Sequence, residues 1–154
     1  MRNLKSGKKT NWLLTILLIL GLAVITFGFF MFIVAPFYVN SQITPTNILS
    51  INDTPSSAWE ALAITYENIN YTPKYVGKDL SWFFPIEENF NLNPKNTIER
   101  GYGICTQRSI LACSYARYYG FDCWVKVLFT FSSSGGVYAH AQPCVEVNGT
   151  EKCL

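Results

Sequence analysis

The chain has 154 residues, of which 49% are hydrophobic, 16% aromatic and only 14% charged. A disordered chain would carry few aromatic residues and much more charge, so this composition predicts a folded protein. A net charge of +2 argues against a strongly basic nucleic-acid binder, and five cysteines are too few for a small disulfide scaffold.

The first feature in chain order is an apolar segment, 12–35, that contains no charged side chain. Twenty-four helical residues reach about 36 Å, enough to cross a hydrocarbon core of about 30 Å. We therefore predict a transmembrane helix at 12–35 that contacts the lipid bilayer, preceded by a basic tail at 1–11. That tail holds four basic residues and no acidic one, which predicts a single-pass cell-membrane protein with a cytoplasmic N-terminus and its C-terminal domain outside. A cleaved signal peptide is the alternative, although its apolar region would normally span only about 7–15 residues.

A polar segment at 36–56, rich in Ser, Thr, Asn and Pro, predicts a linker between the apolar helix and a domain at 57–154. Thr54-Pro55-Ser56 favours the start of a helix, whose expected buried face consists of Trp59, Leu62, Ala63 and Tyr66. The proline-containing stretch 70–95 predicts irregular structure.

A second helix is predicted from about Cys105 to a break at Gly120. Its expected apolar face consists of Ile104, Leu111, Tyr115 and Tyr118, with Arg108 and Arg117 more exposed. Strands are predicted at 123–131, 137–147 and 150–154, joined by a loop at 132–136 and an Asn148-Gly149 hairpin turn. Helices followed by an antiparallel sheet indicate an α+β fold.

Two residues of this domain point to cysteine chemistry. Cys105 follows Gly101-Tyr102-Gly103 at a predicted helix start, where the partial positive charge of the helix N-terminus favours a thiolate. His140 is the only histidine and lies on a predicted strand. A neutral imidazole can act as general base beside a nucleophilic thiol. The competing interpretation makes Cys105 a small buried hydrophobe and His140 a partly exposed strand residue.

Several short motifs of the domain occur in a characteristic order. They are the segment Pro94 to Ile98, Gly103-Ile104-Cys105 at a helix start, a helix that ends at Gly120, a strand, and His140-Ala141 ahead of Val145-Glu146-Val147. Together they resemble the transglutaminase-like superfamily, and the resemblance extends from Trp59 to Leu154. It implies a papain-like domain with a Cys-His-Asp triad, in which Cys105 is the nucleophile and His140 the base.

The resemblance also implies a function and raises a difficulty. It implies amide hydrolysis or acyl transfer through a cysteine thioester, without a cofactor, on an extracytoplasmic peptide or cell-surface amide. The triad Asp of the family is expected one or two residues beyond Leu154. The alternatives are that the sequence is truncated at its C-terminus, that another group orients His140, or that the domain is a non-catalytic scaffold or interaction module.

The other four cysteines have separate interpretations. Cys113 and Cys123 fit core positions on a helix and at the start of a strand. If Asn148-Gly149 forms a two-residue turn, Cys144 lies opposite Cys153 with the two Cα atoms about 4.5 Å apart, which permits a disulfide outside the cell. The same register places Glu146 opposite Glu151, an unfavourable pair of like charges.

A metal site is the remaining alternative for the sulfur-bearing residues. Its ligands would be drawn from Cys105, Cys113, Cys123, Cys144 and His140. No Cys-x-x-Cys pair and no second histidine provides zinc spacing, so we expect no metal. The sequence also contains no phosphate-binding loop, dinucleotide fingerprint or nucleic-acid motif.

Overall fold

The structure is a computed structural model that describes residues 7–47, 54–71, 92–131 and 137–154. The chain divides into two compact units, Met1–Ala35 and Pro36–Leu154, and each is described by itself. The predicted loop at 132–136 and most of the stretch predicted to be irregular lie outside the described residues.

The first unit is an apolar helix. Helix α1 spans Gly7–Phe29 and is followed by a π-helical turn, Phe30–Val34. The segment Trp12–Ser41 is long and apolar enough to cross a membrane, with a mean hydropathy of 2.8 in its most apolar window and only 6% of that window buried. Within this segment the Thr26 hydroxyl donates a hydrogen bond of 2.9 Å to a backbone carbonyl of its own helix. A polar side chain is thereby accommodated in an apolar environment.

The second unit is an α+β domain with a small antiparallel sheet. Its helices are α2 (Ala35–Ser41), α3 (Ala58–Asn68), α4 (Pro94–Arg100) and α5 (Cys105–Tyr118). The short strands β1 (Asn70–Tyr71) and β2 (Tyr102–Gly103) pair in parallel. The antiparallel sheet has the order β3-β4-β5 and consists of Cys123–Phe131, Val137–Val147 and Thr150–Cys153. The helices thus precede the sheet in the chain, as the sequence predicts.

Helix α5 lies at the centre of the domain and packs against α3, β3 and β4. Every residue from Ser109 to Ala116 is buried. Tyr118, which the sequence pattern assigns to the apolar face, is instead 48% exposed because the helix leaves the core in its last turn. Trp59 of α3 was also expected in the core and is 36% exposed, since that helix buries Ala61, Leu62, Ile64 and Thr65.

The β4–β5 hairpin has the predicted register. Asn148 and Gly149 both have positive φ, 54° and 73°, as a two-residue turn of this kind requires. Cys144 lies opposite Cys153, and the two residues form a disulfide with a Cα–Cα distance of 4.1 Å. Glu146 does face Glu151. The ammonium group of Lys126 on β3 offsets this repulsion by forming an ion pair with Glu151.

A second disulfide joins Cys113 to Cys123, with a Cα–Cα distance of 5.1 Å. Both residues are buried, as the sequence indicates, but they are bonded to each other and are not separate core thiols. Gly120 adopts a positive φ of 84° in the connection, and this turn returns the chain so that β3 starts beside the last two turns of α5.

Residues 36–47, the first part of the predicted linker at 36–56, pack onto the domain. Val39 and Ile43 are buried in the domain core. The Asn40 side chain binds both backbone polar groups of Val125: its Nδ2 donates to the carbonyl oxygen and its Oδ1 accepts from the amide, each at 2.9 Å. Because β3 is an edge strand, this amide satisfies two groups that an edge strand leaves unpaired.

We expect Asn40→Asp to destabilise the domain by about 1–3 kcal/mol. The substitution preserves side-chain size but replaces the donor to Val125 with an acceptor that faces carbonyl oxygens. Urea unfolding of the full chain in detergent measures the effect. Ser41→Ala is the matched control, because the exposed Ser41 hydroxyl bonds only within its own helix end. Equal stability of the two variants would contradict the proposed role of Asn40.

Candidate active site

The chain enters helix α5 through a tightly packed turn. Gly103 on β2 lies opposite Tyr71 on β1, so β1 runs beside the start of α5. A Cβ atom added at Gly103 would lie only 3.1 Å from Cβ of Gln107 and 3.2 Å from Cγ2 of Thr97. Gln107 Oε1 in turn accepts a hydrogen bond of 3.2 Å from the amide of Ile104. These contacts fix the backbone immediately before Cys105.

Cys105 is the first residue of α5 and the one free cysteine among the five. The other four cysteines form the two disulfides. Cys105 is half-buried, and its Sγ lies 4.0 Å from the Thr106 hydroxyl oxygen. Its backbone amide belongs to the first turn of a helix, where N–H groups have no partner within the helix. The thiol is thus held where unpaired donors and the positive end of the helix are close.

Arg108 lies against two tyrosines next to Cys105. Its guanidinium carbon is 4.1 Å from the ring centroid of Tyr66 and 5.8 Å from that of Tyr71. Its Nη2 donates a hydrogen bond of 2.8 Å to the backbone carbonyl of Tyr66. Arg108 was expected on the more exposed side of the helix, yet it is half-buried and its Nε is inaccessible to solvent. Stacking on the aromatic faces explains how the charged group is accommodated there.

A hydrogen-bonded chain links α3, α5 and β4. The Ser109 hydroxyl donates to the carbonyl oxygen of Ala141 at 3.0 Å. Since a serine has a single hydroxyl proton, the contact of 3.2 Å between Ser109 Oγ and Tyr66 Oη must be donated by the tyrosine. This chain holds the first turns of α5 against β4 at the residue that follows His140.

The two tyrosines share one electrostatic environment with Cys105 and Arg108. Burial raises the pKa of Tyr66, and the Cys105 thiolate adds to the increase, while the Ser109 hydrogen bond and the Arg108 charge oppose it. The pKa of Tyr71 is raised by burial and then by the charge of Cys105, with Arg108 again opposing. Both phenols therefore remain protonated at neutral pH. The Tyr66 proton is donated to Ser109, so only the Tyr71 hydroxyl is left to donate to a bound ligand.

His140 lies on β4 opposite Leu128, and both side chains are exposed. Cys105 precedes Ser109 by one helical turn, and His140 precedes Ala141 by one residue. The Ser109–Ala141 hydrogen bond therefore brings the two backbone segments together. Both residues belong to the described part of the chain, and no hydrogen bond joins Cys105 to His140 there. The structure thus brings the segments together without forming a bonded Cys–His pair.

The cysteine-based metal sites are limited by the disulfides. Ligand atoms of Cys144, Glu151 and Cys153 lie within 4.8 Å of one another, but the two sulfur atoms are bonded to each other. Cys113 and Cys123 are also oxidised. None of these four residues therefore offers a thiolate ligand in this form of the protein.

No protein-family model matches this sequence, and no curated protein matches it.

Sequence reasoning missed four neighbours of Cys105: Tyr66, Tyr71, Arg108 and Ser109. Helix spacing offered one local signal, because positions three and four after Cys105 lie on the same helix face. The two tyrosines reach the site only through the packing of α3 and β1, which no local pattern reveals.

We expect Ser109→Ala to destabilise the domain by about 1–3 kcal/mol, because Ala141 O and the Tyr66 phenol both lose a buried partner. It should also raise the pKa of Tyr66 further, because the Tyr66 phenolate would lose the Ser109 hydroxyl, which can turn from Ala141 O to donate to it. Urea unfolding measures the first effect and the alkaline phenolate absorbance the second, with Tyr66→Phe identifying the signal.

The pH dependence of stability has a definite sign. The folded state retains the Tyr66 proton more tightly than the unfolded state, whose phenol has a pKa of about 10. The stabilisation is therefore complete below that pH and is lost as the pH rises through the folded-state pKa of Tyr66. Tyr66→Phe should flatten this alkaline loss, and an unchanged loss would assign it to another group.

Proposed function

We propose that the chain is a membrane-anchored, transglutaminase-like protein of papain-like fold that hydrolyses or transfers amides through Cys105. Cys105 is the nucleophile and His140 the base, and the substrate is an extracytoplasmic peptide or a cell-surface amide. The observation that carries the proposal is that one cysteine, Cys105, has no disulfide partner. Four cysteines are joined in disulfides, and Cys105 alone remains a free thiol.

The surroundings of Cys105 support a chemical role. An unpaired thiol in a chain whose other cysteines are oxidised requires an explanation beyond packing. Cys105 is half-buried at a helix N-terminus, three residues from the cation of Arg108, and shares its electrostatic environment with the protonated phenol of Tyr71. Positive charge and hydrogen-bond donors favour a thiolate and the oxyanion that forms when it attacks a carbonyl.

The proposed reaction assigns a step to each of these groups. His140 accepts the thiol proton, and the sulfur of Cys105 attacks the amide carbon to give a tetrahedral oxyanion. First-turn amides of α5 stabilise that oxyanion. The C–N bond then breaks, the amine leaves with the proton from His140, and a thioester remains. Water or a second amine, deprotonated by His140, attacks the thioester and restores the thiol.

A non-catalytic scaffold or interaction domain is the second candidate. It is favoured by the exposed His140 ring and by the lack of a hydrogen bond to Cys105 among the described residues. In the catalytic proposal, the two side chains approach when substrate binds, since catalytic hydrogen bonds are often loose without substrate. The two candidates differ in whether Cys105 forms an acyl-enzyme.

An active Cys105 should give a burst of p-nitrophenolate with p-nitrophenyl acetate, followed by slower turnover. The burst reports attack of the thiolate on the ester, and the turnover reports hydrolysis of the acetyl thioester. Absorbance in a stopped-flow instrument measures both phases with the full chain in detergent. Cys105→Ala should abolish the burst, and His140→Ala should slow turnover by about 10²–10⁴.

The controls separate specific catalysis from ordinary thiol reactivity. Thr106→Ala leaves the nucleophile and base in place and should retain the burst and most of the turnover. A burst without turnover that is insensitive to His140→Ala would contradict the role of His140. The absence of any burst in the wild-type chain would favour the scaffold.

We also propose that the N-terminus is cytoplasmic and the domain is outside. The basic residues ahead of the apolar segment support this orientation. The two disulfides support it independently, because such bonds form and persist in oxidising compartments.

The free thiol serves as a reporter of orientation. A membrane-impermeant maleimide should label Cys105 in intact cells and should fail to label a Cys105→Ala variant. Ser6→Cys in the Cys105→Ala background places the only free thiol in the basic tail, and it should react only after permeabilisation. The reversed pattern, with the tail labelled in intact cells and Cys105 protected, would overturn the orientation.

A further inference from the structure

We infer that the Cys105 site takes anionic substrates, in which a carboxylate lies close to the bond that breaks and is bound by Arg108. This inference rests on the proposed function and specifies the substrate class for it. Arg108 is then the residue that determines specificity, and Tyr66 and Tyr71 hold its guanidinium in place.

Helix geometry places Arg108 beside the nucleophile. Cys105 and Arg108 are three residues apart on α5, so their Cβ atoms are neighbours about 5–6 Å apart on one face of the helix. Tyr66 and Tyr71 each respond to the charges of both Cys105 and Arg108. The thiol and the guanidinium therefore face the same small region, which opens to solvent at Tyr71, 45% exposed.

The guanidinium has unused binding capacity in this region. Arginine carries five N–H donors in a planar fork. Nη2 donates to the Tyr66 carbonyl, and within the described residues no hydrogen bond occupies Nη1. Nε also lacks a partner but is inaccessible to solvent, so a ligand would bind at the outer Nη groups. Buried polar atoms without a partner are rare in folded proteins, and a ligand is one of the few explanations for them. A carboxylate is the group that a guanidinium fork binds best.

The local charge is also unbalanced. Within the described residues, no carboxylate forms an ion pair with Arg108, and the first turn of α5 contains no acidic side chain. The partial positive charge of the helix N-terminus adds to that of the guanidinium. A half-buried charge without a counter-ion costs stability, and an anionic substrate would remove this cost on binding.

A purely structural role for Arg108 is the alternative. Its contacts with Tyr66 connect α5 to α3, so loss of activity in a variant would not separate the two roles. Alkylation of Cys105 does separate them. Iodoacetate and iodoacetamide undergo the same step, in which sulfur bonds to the methylene carbon and iodide leaves. They differ only in whether a carboxylate or a neutral amide is attached to that carbon.

The experiment measures the rate constants of both reagents at Cys105 in the full chain in detergent at one pH. Their ratio is compared with the ratio for N-acetylcysteine, and a Cys105→Ala blank is subtracted. We expect the iodoacetate preference to exceed that of the reference by roughly tenfold, the size of one charge-assisted hydrogen bond. Arg108→Gln should remove the excess, and Arg108→Lys should keep part of it.

Two matched variants identify the responsible charge. Arg117→Gln removes a cation from the far end of the same helix, where the guanidinium binds the Cys123 carbonyl, and should keep the full excess. His140→Gln removes the proposed base, so it is compared by its reagent ratio and not by its rate. Circular dichroism of each variant establishes whether the fold persists. If Arg108→Gln misfolds, the wild-type ratio and Arg108→Lys provide the test.

The result that overturns the inference is a wild-type ratio equal to the reference, or an excess that survives Arg108→Gln. An excess that disappears only in His140→Gln overturns it equally, because it assigns anion recognition to the imidazole. These outcomes are independent of the acyl-enzyme test. An iodoacetate preference without a p-nitrophenolate burst would refute the proposed catalysis, and a burst without the preference would refute anion recognition alone.

Discussion

The burial of helix α5 is the constraint on which the rest of the domain depends. All residues from Ser109 to Ala116 are buried, and the hydroxyl groups of the two serines among them need partners once water is excluded. Ser114 Oγ accepts from the amide of Thr44 and donates to Ile110 O. Ser109 satisfies its hydroxyl with Ala141 and Tyr66. The two serine hydroxyls therefore fix different neighbours. Ser114 fixes the segment after α2, and Ser109 fixes both α3 and β4.

The arrangement around Cys105 follows from the same contacts. Ser109 can bond to both Tyr66 and Ala141 only if α3 and β4 approach the start of α5 from two directions. Tyr66 then provides an aromatic surface for Arg108, and β4 brings the backbone segment that contains His140 beside the first turns of α5. The Cys113–Cys123 disulfide secures the opposite half of the helix to β3. The first turn of α5 is left partly accessible to solvent, as is the last turn at Arg117 and Tyr118.

Sequence patterns predicted the parts of this fold that depend on local chemistry. The bounds of β3 and β4 and the hairpin register follow from β-branched and aromatic residues and from the conformations open to Asn148-Gly149. The start of α5 at Cys105 was also predicted correctly. The Cys113–Cys123 bond was missed because it depends on how the Gly120 turn directs β3 back along the helix. The burial of Arg108 was misjudged, because a charged side chain is expected to be exposed. Its aromatic partners come from α3 and β1, which the local sequence around Arg108 does not reveal.

The energetics of Arg108 bear on the choice between a catalytic site and a scaffold. In a domain that served only as a scaffold, a neutral side chain could fill the same space between Tyr66 and Tyr71. It would avoid the desolvation cost of a guanidinium that has no carboxylate partner among the described residues. Cys105 is a second unusual position, because its thiol remains unpaired while the four other cysteines are oxidised. Local departures from the most stable choice are typical of functional sites. Two such departures, three residues apart on one helix face, are the observations on which the proposed reactive site and its anionic substrate rest.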